Sequence, residues 1–243
     1  GVVVASISSV FVVLGLSRVL WGTWKTSKLN RYLREGSRLQ LNGDEESVEK
    51  AIENYKTAAS MGSLEAYYQL GLFLLHGRGV DQDIRKACGY FKFAAKQNFA
   101  PAMFELHKLY RSDRHGVEQN DPASRKWLQK AVKVYHPEAL VVKAKQILRN
   151  PNGNDNEAVA LLEHAIKRGN IEAMRLLAYL LTSGRLVSYN DIERGRSLYE
   201  EAALKKDPIS LYRIGRAYQN GLWGYEKNAE QAATYLNDAY TID

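Results

Sequence analysis

Cysteine is almost missing from this chain. One residue in 243, Cys88, rules out an internal disulfide framework and any zinc site built on several thiolates. Cys88 follows Ala87 in a helical pattern and is expected to be a buried, inert thiol. Proline is scarce, at five residues, which suits many helices joined by short turns. None of the fourteen asparagines begins an Asn-x-Ser/Thr acceptor, a composition that favours the cytosol or a mitochondrial compartment over a glycosylating lumen. The five histidines, His76, His107, His115, His136 and His164, include no pair at i, i+3 or i, i+4 and no HExxH. Gly77-Arg78-Gly79 lacks the third glycine and the lysine–hydroxyl pair of a phosphate loop. No serine, cysteine or lysine has a recognisable activating base. No catalytic residue, cofactor or metal is assigned, and an enzyme is not expected.

Positive charge is present but unevenly placed. The formal net charge is +7, yet Arg18, Lys25, Lys28, Arg31, Arg34 and Arg38 stand against Glu35 alone between residues 18 and 40. The remainder is too nearly neutral for a general polyanion-binding surface, which argues against nucleic acid as a partner. A second basic stretch runs from Glu105 to Arg149, with ten basic and five acidic residues. It reads as a solvated helix face, with a patch for an acidic partner or lipid headgroups as the alternative.

Charge is absent from Gly1 to Ser17, where Val, Ile, Leu and Phe dominate. Continued through Arg18 to Trp21, with Arg18 snorkelling, a helix there reaches the roughly 30 Å of a bilayer core. Trp21 and Trp24 then fall at an interfacial belt, followed by Lys25 and Lys28. Residues 1–24 are therefore expected to be a transmembrane anchor, with Arg18, Trp21, Trp24, Lys25 and Lys28 at the membrane interface. Residues 25–44 are expected to be a basic juxtamembrane linker and capping helix ended by Asn42-Gly43. Basic flanks of this kind place the large C-terminal part on the cytosolic or matrix side.

From about residue 45 the sequence repeats itself. Units begin at 51, 87, 123, 158, 195 and 232, separated by 36, 36, 35, 37 and 37 residues. In the first unit, Ala51, Tyr55, Ala58, Ala59 and the following small residues lie on one face of a helix. Phe91, Leu162 and Tyr199 occupy the place of Tyr55. Gly62 and Gly169 sit where a left-handed residue ends a helix. Pro101, Pro137 and Pro208 fall at the start of the second helix of their units. Asp121-Pro122 reads as an N-cap followed by a first helical position, Asp83 and Asp191 as further caps, and Glu45 and Glu46 as first-turn acids. Each unit is a helix–turn–helix hairpin that needs its neighbours to bury its apolar stripe.

The string Ala58-Ala59-x2-Gly62-x3-Ala66-x3-Leu70-Gly71, followed by Gly77-Arg78-Gly79-Val80-Asp81 and Lys86-Ala87, resembles the Sel1-like repeat family, a relative of the tetratricopeptide repeats. The resemblance covers about 45–243 and is degenerate in the second and third units. It implies an all-α, right-handed α-solenoid of about five repeats of 35–37 residues, here with a capping helix and one N-terminal transmembrane helix. It also implies adaptor or scaffold roles. The outward positions of each first helix are the candidate partner-binding residues: Lys56, Lys92, Phe93, Lys96, Arg125, Leu128, Gln129, His164 and Lys167. The expected function is that of a membrane-anchored, non-catalytic scaffold subunit. Its partners would be other protein subunits and, through the N-terminal helix and basic flank, membrane lipids. A mitochondrial membrane is the expected location, with the endoplasmic reticulum membrane as alternative. A receptor-like adaptor that captures peptides in its concave groove is the second reading.

Overall fold

The computed structural model describes residues 25–111, 118–185 and 191–242. Among them there are helices and turns and no strand. Helix α1 covers 25–42. It is followed by α2 (Glu45–Ser60), α3 (Leu64–His76), α4 (Ile84–Lys96), α5 (Ala100–Arg111) and α6 (Asp121–Lys133). The chain continues with α7 (Pro137–Arg149), α8 (Asp155–Ile166), α9 (Ile171–Thr182), α10 (Ile192–Leu204), α11 (Pro208–Asn220) and α12 (Ala229–Thr241).

Short helices such as these are marginal alone, so their ends matter. Asp44, Ser63, Asp83, Asn170, Asp191 and Asn228 each accept a backbone N–H from the first turn they precede. Glu45 and Glu46 lie in the first turn of α2, where their charge favours the helix dipole. Gly62 and Gly169 take positive φ, 96° and 77°, in the turns after α2 and α8. Pro137 and Pro208 open α7 and α11, whereas Pro101 is the second residue of α5. One expected cap moves by a residue. Asp121 is already helical, and the Asn120 side chain accepts from the Ala123 N–H at 2.9 Å.

The chain divides into two compact units, one ending at Trp127 and one beginning at Leu128. In the first unit α2, α3, α4 and α5 pack in chain order. Its core includes Leu39, Ala51, Ile52, Tyr55, Ala58, Leu70 and Phe73. In the second unit α7 to α12 pack in chain order around Leu140, Ala144, Leu162, Met174, Leu177, Tyr199 and Ile214. Sequential contact of this kind is what a helical repeat requires.

The most extensive contacts join α3 to α4, α7 to α8, α9 to α10 and α11 to α12. These are helices linked across the longer loops, so the principal hairpin is shifted by one helix from the frame that starts at residue 51. A small residue late in the leading helix receives a bulky one from the next. A Cβ on Gly71 would lie 2.5 Å from the Phe91 ring, and one on Gly215 would lie 2.9 Å from Leu236. Gly36 stands in the same relation to the Tyr55 ring, at 3.0 Å. The Tyr55 hydroxyl also donates to Gln40 at 3.1 Å and lies 3.2 Å from the Ser37 hydroxyl. The expected capping helix α1 therefore packs as the leading helix of a first hairpin.

No helix among the described residues is long and apolar enough to cross a membrane. The expected anchor, with Arg18, Trp21 and Trp24, lies outside the described residues. Lys25 and Lys28 belong to α1, where Lys28 is exposed.

Candidate partner-binding surfaces

The expected partner residues fall in both units. Lys56, Lys92, Phe93, Lys96 and Arg125 belong to the first unit, and Leu128, Gln129, His164 and Lys167 to the second. Leu128 cannot be a surface anchor, because only 3% of it is exposed. The helical stripe that buries Ala131 also takes in Leu128, three positions earlier. The others are exposed, but several are already engaged. Lys56 pairs with Glu53 at 2.6 Å. The Lys92 ammonium lies 5.6 Å from the Tyr110 ring centre, and its contact with the Tyr110 hydroxyl raises its pKa. Phe93 is 45% exposed, and its other side meets the Tyr67 ring at 4.3 Å. The His164 ring sits 5.0 Å from that of Tyr135.

In the first unit a cleft of about 320 Å³ opens between α2, α3, α4 and the loop that joins α3 to α4. Ile52, Leu70, Phe73 and Val80 form its floor, and Lys56, Lys86, Asp81 and Asp83 its rim. Gly79, at φ 65°, lets the loop backbone come against α2, where a Cβ would lie 2.5 Å from Val48 Cγ1. The cleft joins residues of α2 and α4 that the repeat pattern turns outward to the apolar floor beneath them.

A second cleft, of about 190 Å³, lies in the second unit on α7, α9 and α11, with Tyr199 of α10 beneath. Lys145 of α7 pairs with Glu172 of α9, and Arg175 of α9 donates to Asp207 at 2.8 Å. Asp207 in turn accepts from the Ser210 N–H and hydroxyl, at 2.8 and 2.7 Å, which caps α11. The Arg213 guanidinium lies 5.7 Å from the Tyr179 ring centre. Among the described residues no carboxylate pairs with Arg213. Burial holds the Tyr199 phenol above its ordinary pKa. Ion pairs and ring contacts thus tie three successive leading helices into one face. Reading only the first helix of each 51-frame unit reaches Tyr199 alone among these residues.

The sequence also gave no sign of a polar joint between α5 and α6. His107 stands 36 residues after Gly71, at the position where the other hairpins carry a small residue. It is 2% exposed, and its Nδ1 lies 2.9 Å from the Ser124 hydroxyl, which can also donate to the His107 carbonyl at 3.1 Å. These contacts fit a neutral ring protonated at Nδ1. Nε2 is buried without a hydrogen-bond partner among the described residues. Burial pushes the His107 pKa down, against a smaller upward pull from the Ser124 backbone. Cys88, expected to be inert, is buried and free.

Among the described residues no cluster of three or more His, Cys, Asp or Glu side chains could hold a metal. Stacked hairpins that bury a small-residue stripe and leave clefts on their outer faces define a helical-repeat protein of the protein-interaction class. The chain belongs to the Sel1 repeat family, with five Sel1 repeats at residues 36–63, 64–99, 100–133, 171–207 and 208–240. The first begins within α1, and α7 and α8 occupy the interval between the third and fourth. The chain is 25% identical over 202 residues to the chitin synthase regulator SKT5 of Saccharomyces cerevisiae, covering 75% of this chain and 28% of that protein. It is 32% identical over 91 residues to chitin synthase regulatory factor 3 of Schizosaccharomyces pombe, covering 37% and 10%. It therefore spans less than a third of the length of either relative. A Sel1 repeat protein from Oxalobacter formigenes superposes with a TM-score of 0.75 at 24% identity, over 88% of each chain. A protective antigen of uropathogenic Escherichia coli gives 0.67 at 21% identity, over 92% of this chain and 48% of its own. Both likenesses are of fold.

Proposed function

We propose that this chain is a non-catalytic scaffold that holds other protein subunits, tethered to a membrane by residues 1–24, in a mitochondrial membrane complex. The observation that carries the scaffold reading is the shared face of α7, α9 and α11, where three hairpins pool ion pairs, aromatic surface and a shallow cleft. Such a face binds by shape and charge. The two yeast relatives bear the names of regulators of another protein, which supports a role exercised through a partner. The uncharged stretch from Gly1 to Ser17 and the basic run after it support the tether.

The test is extraction of the tagged chain from its own cells in mild detergent, followed by crosslinking and mass spectrometry. A stable partner in fixed ratio is expected; recovery solely as a monomer refutes the scaffold. The tether is tested separately by alkaline carbonate extraction. The full chain should stay with the membrane, and a chain starting at residue 25 should be released. Release of both would remove the anchor from the proposal.

A further inference from the structure

The helices of the second unit are sorted by charge. Together α7, α9 and α11 carry six basic and two acidic side chains. The interleaved α8, α10 and α12 carry two basic and eight acidic ones. Packing does not demand this, because most of these side chains are exposed or half-exposed and lie off the buried stripe. Within these helix bounds α7 and α11 are net positive, α9 is neutral, and α8, α10 and α12 are net negative. Lys167, Arg168, Lys205 and Lys206 directly follow α8 and α10. The pull on an acidic chain therefore comes from the cleft lining itself, where Lys145, Arg175 and Arg213 outnumber Glu172.

The lining also offers apolar surface. Tyr179 is 38% exposed and Ile209 is 47% exposed, and both line the cleft of about 190 Å³ with Leu176. Lys145 and Arg213 stand in the same lining. Lys145 is shared with Glu172, while the Arg213 guanidinium faces the Tyr179 ring. The volume suits one or two side chains.

We propose that the α7–α9–α11 face docks an acidic peptide segment of a partner protein. One aliphatic or aromatic side chain of the segment enters the cleft against Leu176, Tyr179 and Ile209, and flanking carboxylates meet Arg213 and Lys145. This rests on the scaffold reading and names the chemistry of the partner. A flat anionic membrane would leave the cleft unfilled, and a nucleic acid strand would bring no aliphatic side chain to it.

The test uses the full chain in detergent and a fluorescein-labelled probe peptide, Glu-Asp-Leu-Glu-Asp-Phe-Glu-Asp-Leu-Glu, read by anisotropy. Three controls accompany it: the same peptide with Gln and Asn for its acids, phosphatidylserine vesicles, and a single-stranded oligonucleotide. Salt-sensitive binding of the acidic peptide is expected, weakened about tenfold by Arg213→Glu or Lys145→Glu. Ile209→Asp should weaken it as well, and Arg85→Glu, an exposed α4 position in the first unit, should leave it unchanged. Circular dichroism melts of each variant confirm that it folds. Equal binding of the neutral peptide, or binding indifferent to both charge reversals, overturns the proposal. So does binding confined to vesicles or oligonucleotide and lost in the same variants. The crosslinked partner is measured in parallel on Arg213→Glu. A partner retained in full refutes this face and leaves the scaffold standing, whereas no partner even with the unaltered chain removes the scaffold itself.

Discussion

Replacing Gly71 by alanine should destabilise the first unit although alanine is the better helix former. A methyl group at position 71 would lie 2.5 Å from Cε1 of Phe91 and 2.9 Å from its Cδ1 and Cζ. Carbon atoms in contact settle at about 3.5–4.0 Å, so the ring or the α3 backbone must retreat by roughly 1 Å. Phe91 has nowhere to go: it is fully buried, with the Tyr68 ring centre 5.9 Å away. Overpacking of this kind costs about 1–3 kcal/mol, and the clash falls in the upper half of that range because the methyl is fixed to the backbone. Higher helix propensity returns about 1 kcal/mol. The net loss is about 1–2 kcal/mol, or roughly 5–15 °C in Tm for a unit of this size. Gly89, on α4, is exposed and has no atom within 4 Å of its Cβ position, so Gly89→Ala should stabilise by about 0.5–1 kcal/mol. Urea and thermal melts followed by far-UV circular dichroism read both. A cycle with Phe91→Leu, which lacks Cε1 and Cζ, should reduce the cost of Gly71→Ala by at least half. A neutral or stabilising Gly71→Ala, or equal cost in the two backgrounds, refutes close approach as the reason for glycine at this position.

Asp207→Ala removes the cap of α11 and the partner of Arg175, and should cost about 2 kcal/mol in urea melts, whereas Asp207→Asn should retain part of the cap. His107 should make stability fall on acidification. Its folded pKa lies below the ordinary 6.5, so below that pH the unfolded chain binds a proton that the folded chain resists, and stability declines until the folded pKa is passed. Melts from pH 7.5 to pH 5 should show that slope flattened in His107→Gln, and an unchanged slope would remove His107 as its source. Tyr225→Phe deletes the 2.5 Å bond from the phenol to Glu200, and should lower the Tm of the second unit by the equivalent of about 1 kcal/mol.

Much of the fold was legible because a repeat states the same physical requirement several times. Ala51, Ala58, Ala87, Ala94, Ala158 and Ala202 recur at helical spacing and are all fully buried, as are Phe91 and Leu162 in the place of Tyr55. Caps were legible for the same reason: Asp83 and Asp191 each precede a stripe and each bind the N–H three residues on. The hairpin frame was less so. Sequence periodicity fixes the length of a repeat without saying where it starts, and the choice depends on which loop joins the closer pair. Gly36, Gly71 and Gly215 held that information, since a glycine late in a helix marks a close approach by the helix that follows. Leu128 was misread by extending the first-unit register into a degenerate repeat. His107 was invisible because its partner, Ser124, lies on another helix and neither residue type announces burial.

The candidate site was less legible than the fold, and the reason follows from the repeat itself. The core stripe is fixed by packing, so every unit must spell it alike, and comparing units brings it out. Outward positions carry no such constraint. They are free to differ from unit to unit, and a partner that spans several hairpins reads them as a set. In α4 the outward charges are basic, whereas in α8 they are acidic, although both helices trail the small-residue position of the hairpin before. A search for a repeated motif therefore passes over such outward positions by construction. Summing charge helix by helix, once the helices are placed, recovers them. The basic α7 and α11, the neutral α9 and the acidic α8, α10 and α12 can be sorted from the sequence alone. What needed the structure was the cleft, because Tyr179 of α9 and Ile209 and Arg213 of α11 come from helices with α10 between them in the chain.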